Sequence, residues 1–134
     1  MREILFRGKD KITGEWIVSD CISHIELTQG TRHILLRKVT NYYTTYEEVK
    51  KETVGQFTGL YDKNGTRIYE GDIVKYGDNI LPVVFEQRNG TAYFGLVYSN
   101  IETLPFGHYQ DLLQIEVIGN IHDNPELLEE AHND

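Results

Sequence analysis

The chain has 134 residues, 40% hydrophobic and 25% charged, with a formal net charge of -8 at pH 7. That length suits one domain with its own core, and no apolar run reaches the roughly 20 residues of a membrane helix, so a membrane role is set aside. Residues 1–75 hold 12 Lys/Arg and 11 Asp/Glu, whereas residues 76–134 hold Arg88 against 10 Asp/Glu, an imbalance that disfavours phosphate-backbone binding by the C-terminal half and reads as a solvated acidic face or a dock for a basic partner.

From the N-terminus, MREILFRGKDK has neither a long apolar stretch nor a small-residue cleavage site, so no secretory signal is read there. The lone Cys21 forms no internal disulfide, and the expected address is the cytoplasm. Ile4–Arg7 and Trp16–Ile22 read as strands around a Thr13-Gly14 turn. Cys21 follows Asp20 in a strand-like setting, and a neighbouring carboxylate discourages a thiolate, so a buried structural role is expected. His24 and His33 flank a turn near Gly30 and are expected to face each other across a hairpin. Two ligands on one ribbon, without a third, make a poor metal site, so a surface or hydrogen-bonded role is read for both. Tyr46–Lys51 is read as a short helix capped by Thr44 or Thr45.

Val54–Leu60 and Arg67–Tyr69 read as strands around Asn64-Gly65, and Leu81–Glu86 and Ala92–Tyr98 as strands around Asn89-Gly90. Asn and Gly tolerate the positive φ that tight hairpin turns demand. Glu70 and Asp72 bracket Gly71, where a carboxylate that accepts backbone N–H bonds at a turn is a stronger reading than an acid–base pair. The run Tyr93-Phe94-Gly95-Leu96-Val97-Tyr98 is apolar on both faces, so both are covered in the fold or one meets a subunit or ligand. Glu116–Ile121 is a further strand. Asn124 then caps a short C-terminal helix with Pro125 at its first position, anchored by Leu127 and Leu128. Asp10-Lys11 and Gly14 echo Asp62-Lys63 and Gly65, which is read as two hairpins using one turn chemistry rather than as a duplication.

Three blocks carry a family resemblance: Met1–Ile4 through Phe6–Asp10 to Gly14–Trp16; Glu52–Leu60 through Asp62–Gly65 to Ile68–Val74; and Glu116–Ile121 to Asn124–Leu128. Together they resemble YopX-like proteins over essentially the whole chain. The segments 22–45 and 100–110 fit that pattern least. The resemblance implies a small, mainly β protein encoded by a phage or prophage. It is compatible with a homo-oligomer, and it carries over no enzymatic activity and no catalytic residues.

The expected fold is therefore a single β-rich domain over 1–134, hairpins forming a small barrel or sandwich with a short C-terminal helix. No Gly-rich phosphate loop and no nucleophile motif is present in the sequence, so no enzyme activity, cofactor or metal is expected. The expected function is binding, to a protein partner or to itself, with Tyr61, Tyr69, Tyr76 and Tyr93 and the acidic C-terminal segment as contact candidates. The first alternative is nucleic-acid binding through Arg2, Arg7, Lys9, Lys11, Arg32, Arg37 and Lys38. The second is an enzyme whose site joins residues distant in sequence.

Overall fold

The computed structural model describes residues 3–28, 31–88, 90–99, 102–106 and 111–132. Arg2, the turn at Gly30, Asn89, His108 and most of the 100–110 segment lie outside the described residues, as do the side chains of Arg32 and His132. The described structure is mainly β, with one α-helix near the C-terminus, and the chain divides into two compact units, Met1–Phe57 and Thr58–Asp134. Its sheets stay open, and none closes on itself as a barrel.

In the first unit, Phe6–Lys9 (β1) and Trp16–Ser19 (β2) form a hairpin in register from Phe6↔Ser19 to Lys9↔Trp16. Asp10 closes its turn. The Asp10 Oδ1 accepts the N–H groups of Ile12 (2.8 Å) and Thr13 (3.1 Å), and Gly14, in the turn expected there, takes a positive φ of 75°. Ile22–Thr28 (β3), Thr31–Val39 (β4) and Thr44–Val49 (β5) make a three-stranded meander. Ile17, Leu36 and Val49 are its buried centre, with Phe6, Ile22, Ile34 and Val54 packed around them. Gly8 lets β1 lie close: a Cβ there would sit 3.0 Å from Val49 Cγ2.

Two expectations for this unit are corrected. Thr44–Val49 is a strand, and only Lys51–Thr53 forms a single 3-10 turn. Thr-Thr-Tyr-Glu-Glu-Val has weak helix propensity, and β4 offers a partner whose Leu36 buries Val49, so pairing wins. His24 and His33 do not face each other. His24 pairs with Ile34 and His33 with Ile25, a one-residue offset that sends the two rings to opposite faces.

Gly55–Tyr61 (β6) crosses from the first unit into the second; its start pairs with β1. In the second unit it runs beside Arg67–Tyr69 (β7), and the Thr58 hydroxyl donates to the Ile68 carbonyl at 2.7 Å. Asp62 repeats the role of Asp10, accepting the N–H groups of Asn64 and Thr66 through Oδ1, with Gly65 at φ 79°. Its Oδ2 also accepts the N–H of Val117, 55 positions away.

The second sheet orders Glu102–Pro105 (β11), Thr91–Ser99 (β10), Asn79–Arg88 (β9), Asp72–Tyr76 (β8) and Ile115–Asn120 (β12). Strand β9 pairs with β8 through residues 79–82 and with β10 through 83–88, so Pro82, which lacks an N–H, sits where one ladder hands over to the other. Ile68, Val74, Leu81, Val83, Leu96 and Ile115 form the core, with Tyr76, Tyr98 and Phe106 against it. The run 93–98 is thus an inner strand between β9 and β11, one face on this core.

Glu126–His132 (α1) packs beside β9, with Leu127 and Leu128 half-buried. Asn124 is not the side-chain cap expected: its Oδ1 turns back to the Asn120 N–H at 3.2 Å, over Gly119, where a Cβ would come within 2.6 Å. No described helix is long and apolar enough to cross a membrane.

Candidate functional site

The β4–β5 hairpin has two unlike ends. At its turn, Thr40 makes nearly every polar contact. Its N–H and hydroxyl both donate to the Tyr43 carbonyl (2.9 and 3.0 Å), and its Oγ1 accepts the N–H groups of Tyr42 and Tyr43. With the backbone satisfied this way, the rings are left outside: Tyr42 is 92% exposed, Val39 68%, Tyr43 61% and Tyr46 52%. Four large side chains within eight positions are bare on one hairpin. Tyr46 stands opposite Arg37, whose guanidinium pairs with Asp20.

Strand β5 is also the last strand of its sheet. Among the described residues, its outer edge is engaged only near Val49, by the Asp10↔Val49 bridge and by the Lys11 N–H, which donates to the Glu48 carbonyl at 2.9 Å. From Thr44 to Glu47 no described strand lies alongside that edge. Its backbone groups there are a ready template for another chain.

At the other end of the hairpin, Lys11, His33 and Glu48 meet. Glu48 Oε1 accepts from Lys11 Nζ at 3.3 Å and pairs closely with His33 Nδ1. The His33 hydrogen bond, aided by Lys11, holds the Glu48 carboxyl below the usual range. Position 33 is on the outer face with positions 46 and 48, a consequence of the register that the sequence alone did not reveal.

The four tyrosines singled out in the sequence are not gathered into one surface. Tyr61, at the end of β6, is 46% exposed. Tyr69 is 6% exposed, inside the fold, so it presents no contact surface. Tyr76 packs against the core of the second unit, and Tyr93 is half-buried beside Gly95. The exposure of Tyr42, Tyr43 and Tyr46 follows from a polar turn at Thr40 leading into a strand.

Four of the seven cations of the nucleic-acid alternative are engaged within the first unit. Arg7 and Lys9 stand over the Trp16 ring at 4.7 and 5.6 Å, Lys11 pairs with Glu48, and Arg37 with Asp20. Cys21 is half-buried at the corner between β2 and β3, where Ser19 Oγ accepts its N–H and donates to its carbonyl. Asp72 is buried and accepts the Tyr69 N–H at 2.7 Å, the turn role read from Gly71-Asp72.

Among curated proteins, none matches the chain. The crystal structure of protein EF1440 from Enterococcus faecalis is similar, at 25% identity over 96% of this chain and 99% of that one, with a TM-score of 0.47. The family model described as YopX protein matches residues 5–129, across both units. The three sequence blocks and this match agree, and the chain belongs to the YopX protein family.

Proposed function

We propose that the protein is an accessory factor of a phage or prophage, acting in the cytoplasm by binding rather than by catalysis, and that it binds through the outer edge of β5. One observation carries this reading: an unpaired edge from Thr44 to Glu47 is flanked by the exposed Val39, Tyr42, Tyr43 and Tyr46. An added strand would satisfy the open N–H and C=O groups, and tyrosines supply broad, stiff contact area at small entropic cost.

The partner is a second copy of the chain. Antiparallel pairing of one β5 with another is self-complementary, so one surface suffices and the assembly closes as a two-fold dimer. Glu47 points away from such a seam, toward the face it shares with Thr45, whose hydroxyl donates to it at 2.9 Å.

Sedimentation velocity across a concentration series tests this. The protein sediments as a concentration-dependent dimer, and Tyr42→Ser with Tyr43→Ser weakens it about tenfold or more, the usual cost of losing an aromatic anchor. Tyr61→Ser, on β6, leaves it unchanged. A monomer at every concentration, or a dimer indifferent to the double substitution, contradicts the reading.

A further inference from the structure

The end of the β4–β5 hairpin opposite the tyrosines opens into a cleft of about 220 Å³, built from the β1–β2 turn, β4, the end of β5 and the 3-10 turn after it. Lys11, His33, Glu48, Lys50, Lys51 and Glu52 line it. In a chain with a net charge of -8, three lysines and a histidine thus line one concavity, beside two glutamates.

We propose that this cleft binds a phosphate group carried by a small organic body. Its walls are set before any ligand arrives. The Lys50 N–H donates to the Lys9 carbonyl at 2.9 Å, and the buried Thr53 bridges the same two residues, donating to the Lys50 carbonyl at 2.6 Å and accepting the Lys9 N–H at 2.9 Å. The backbone at Lys50 and Lys51 is therefore fixed while their exposed side chains make no ion pair among the described residues. Glu48 holds Lys11 and His33 side by side through a single oxygen. An arriving dianion meets Lys50 and Lys51 as unspent charges and Lys11 as a donor shared with that carboxylate. Such a group makes charge-assisted hydrogen bonds with several donors at once, which a lone carboxylate ligand does less well. The limited volume suits a phosphomonoester with a small body. The same chemistry is offered by the terminal phosphate of a nucleic-acid strand.

The test is an NMR titration of the full chain with inorganic phosphate, at ionic strength held constant with chloride. Saturable shifts are expected at the amides of Lys11, Glu48, Lys50 and Lys51. Lys50→Ser with Lys51→Ser weakens binding about tenfold or more, as befits two lost charge-assisted bonds. Glu48→Gln, which removes the competing negative charge, tightens it by roughly several-fold. Lys63→Ser, which disrupts the Lys63–Glu116 pair in the second unit, leaves it unchanged. Shifts that chloride reproduces, or that survive the double lysine substitution, overturn the proposal, as does a Glu48→Gln protein that binds less. Ribose 5-phosphate and a 5′-phosphorylated oligonucleotide then identify the source. Equal affinity assigns the site to the phosphate group with a small body. Tighter oligonucleotide binding that falls steeply with salt assigns it to a nucleic-acid end.

Discussion

Asp62 shows how one carboxylate ties together backbone segments far apart in sequence. Burial pushes its pKa up, but the N–H groups of Val117, Thr66 and Asn64 outweigh that and hold the carboxyl below the ordinary value. Asp10 is lowered in the same direction by the N–H groups of Thr13 and Ile12. A carboxyl whose folded pKa is depressed adds stability that is fully present above the unfolded value, about 3.9, and is lost as pH falls through the folded one. These two groups therefore leave stability flat above about pH 5 and erode it below about pH 4. Asp62→Ala orphans three backbone donors and costs about 3 kcal/mol in urea unfolding at neutral pH. Asp62→Asn also destabilises at neutral pH, yet shows a shallower acid loss, because no charge remains to be titrated. An Asp62→Asn protein with an unchanged acid slope would contradict this assignment.

The elements differ in how legible they were. Turns with Asn-Gly or Thr-Gly are readable because glycine suits the positive φ found at Gly14 and Gly65, and the strands beside them follow within a residue or two, except that the strand expected over Trp16–Ile22 ends at Ser19 and Ile22 opens the next one. The paired use of Asp10 and Asp62 is visible in the sequence as a faint echo, and each carboxylate closes its turn through backbone N–H groups, at positions two and three residues on for Asp10 and two and four on for Asp62. The β3–β4–β5 meander was not readable. The offset of His24 from His33 depends on a register irregularity between Glu26 and Thr28, which no local pattern announces. The helix expected over Tyr46–Lys51 gives way to the strand Thr44–Val49 because its partner, β4, is what makes that segment a strand. Gly95 illustrates a constraint set by a neighbouring strand: a Cβ there would come 2.6 Å from Thr103 Cγ2 and 3.0 Å from the Leu104 carbonyl. Gly95→Val therefore pushes β11 off β10, costing about 2 kcal/mol. Hydrogen exchange across Glu102–Pro105 should accelerate more than exchange in β8, and equal acceleration everywhere would argue against a local wedge.

At the scale of the whole molecule, the family could be read from three sequence blocks, whereas the candidate contact surface could not. Sequence reasoning favoured tyrosines near the most distinctive motif, yet Tyr69 and Tyr76 sit there because they pack, and a motif that specifies packing draws its aromatics inward. The most exposed tyrosines among the described residues, Tyr42, Tyr43 and Tyr46, lie instead within the segment 22–45 and just after it, the stretch that fits the family pattern least, on the β4–β5 turn and on the strand that follows it. The same hairpin presents exposed tyrosines at one end and the lysine-lined cleft at the other, so the proposed self-contact and the proposed phosphate site are separable by substitution. The most direct test of edge-to-edge binding is hydrogen–deuterium exchange of the Thr44–Glu47 amides at low and high protein concentration. The account predicts that outward-facing amides of β5 gain protection as concentration rises, and that Tyr42→Ser with Tyr43→Ser removes the gain. Exchange that is fast and independent of concentration would contradict it.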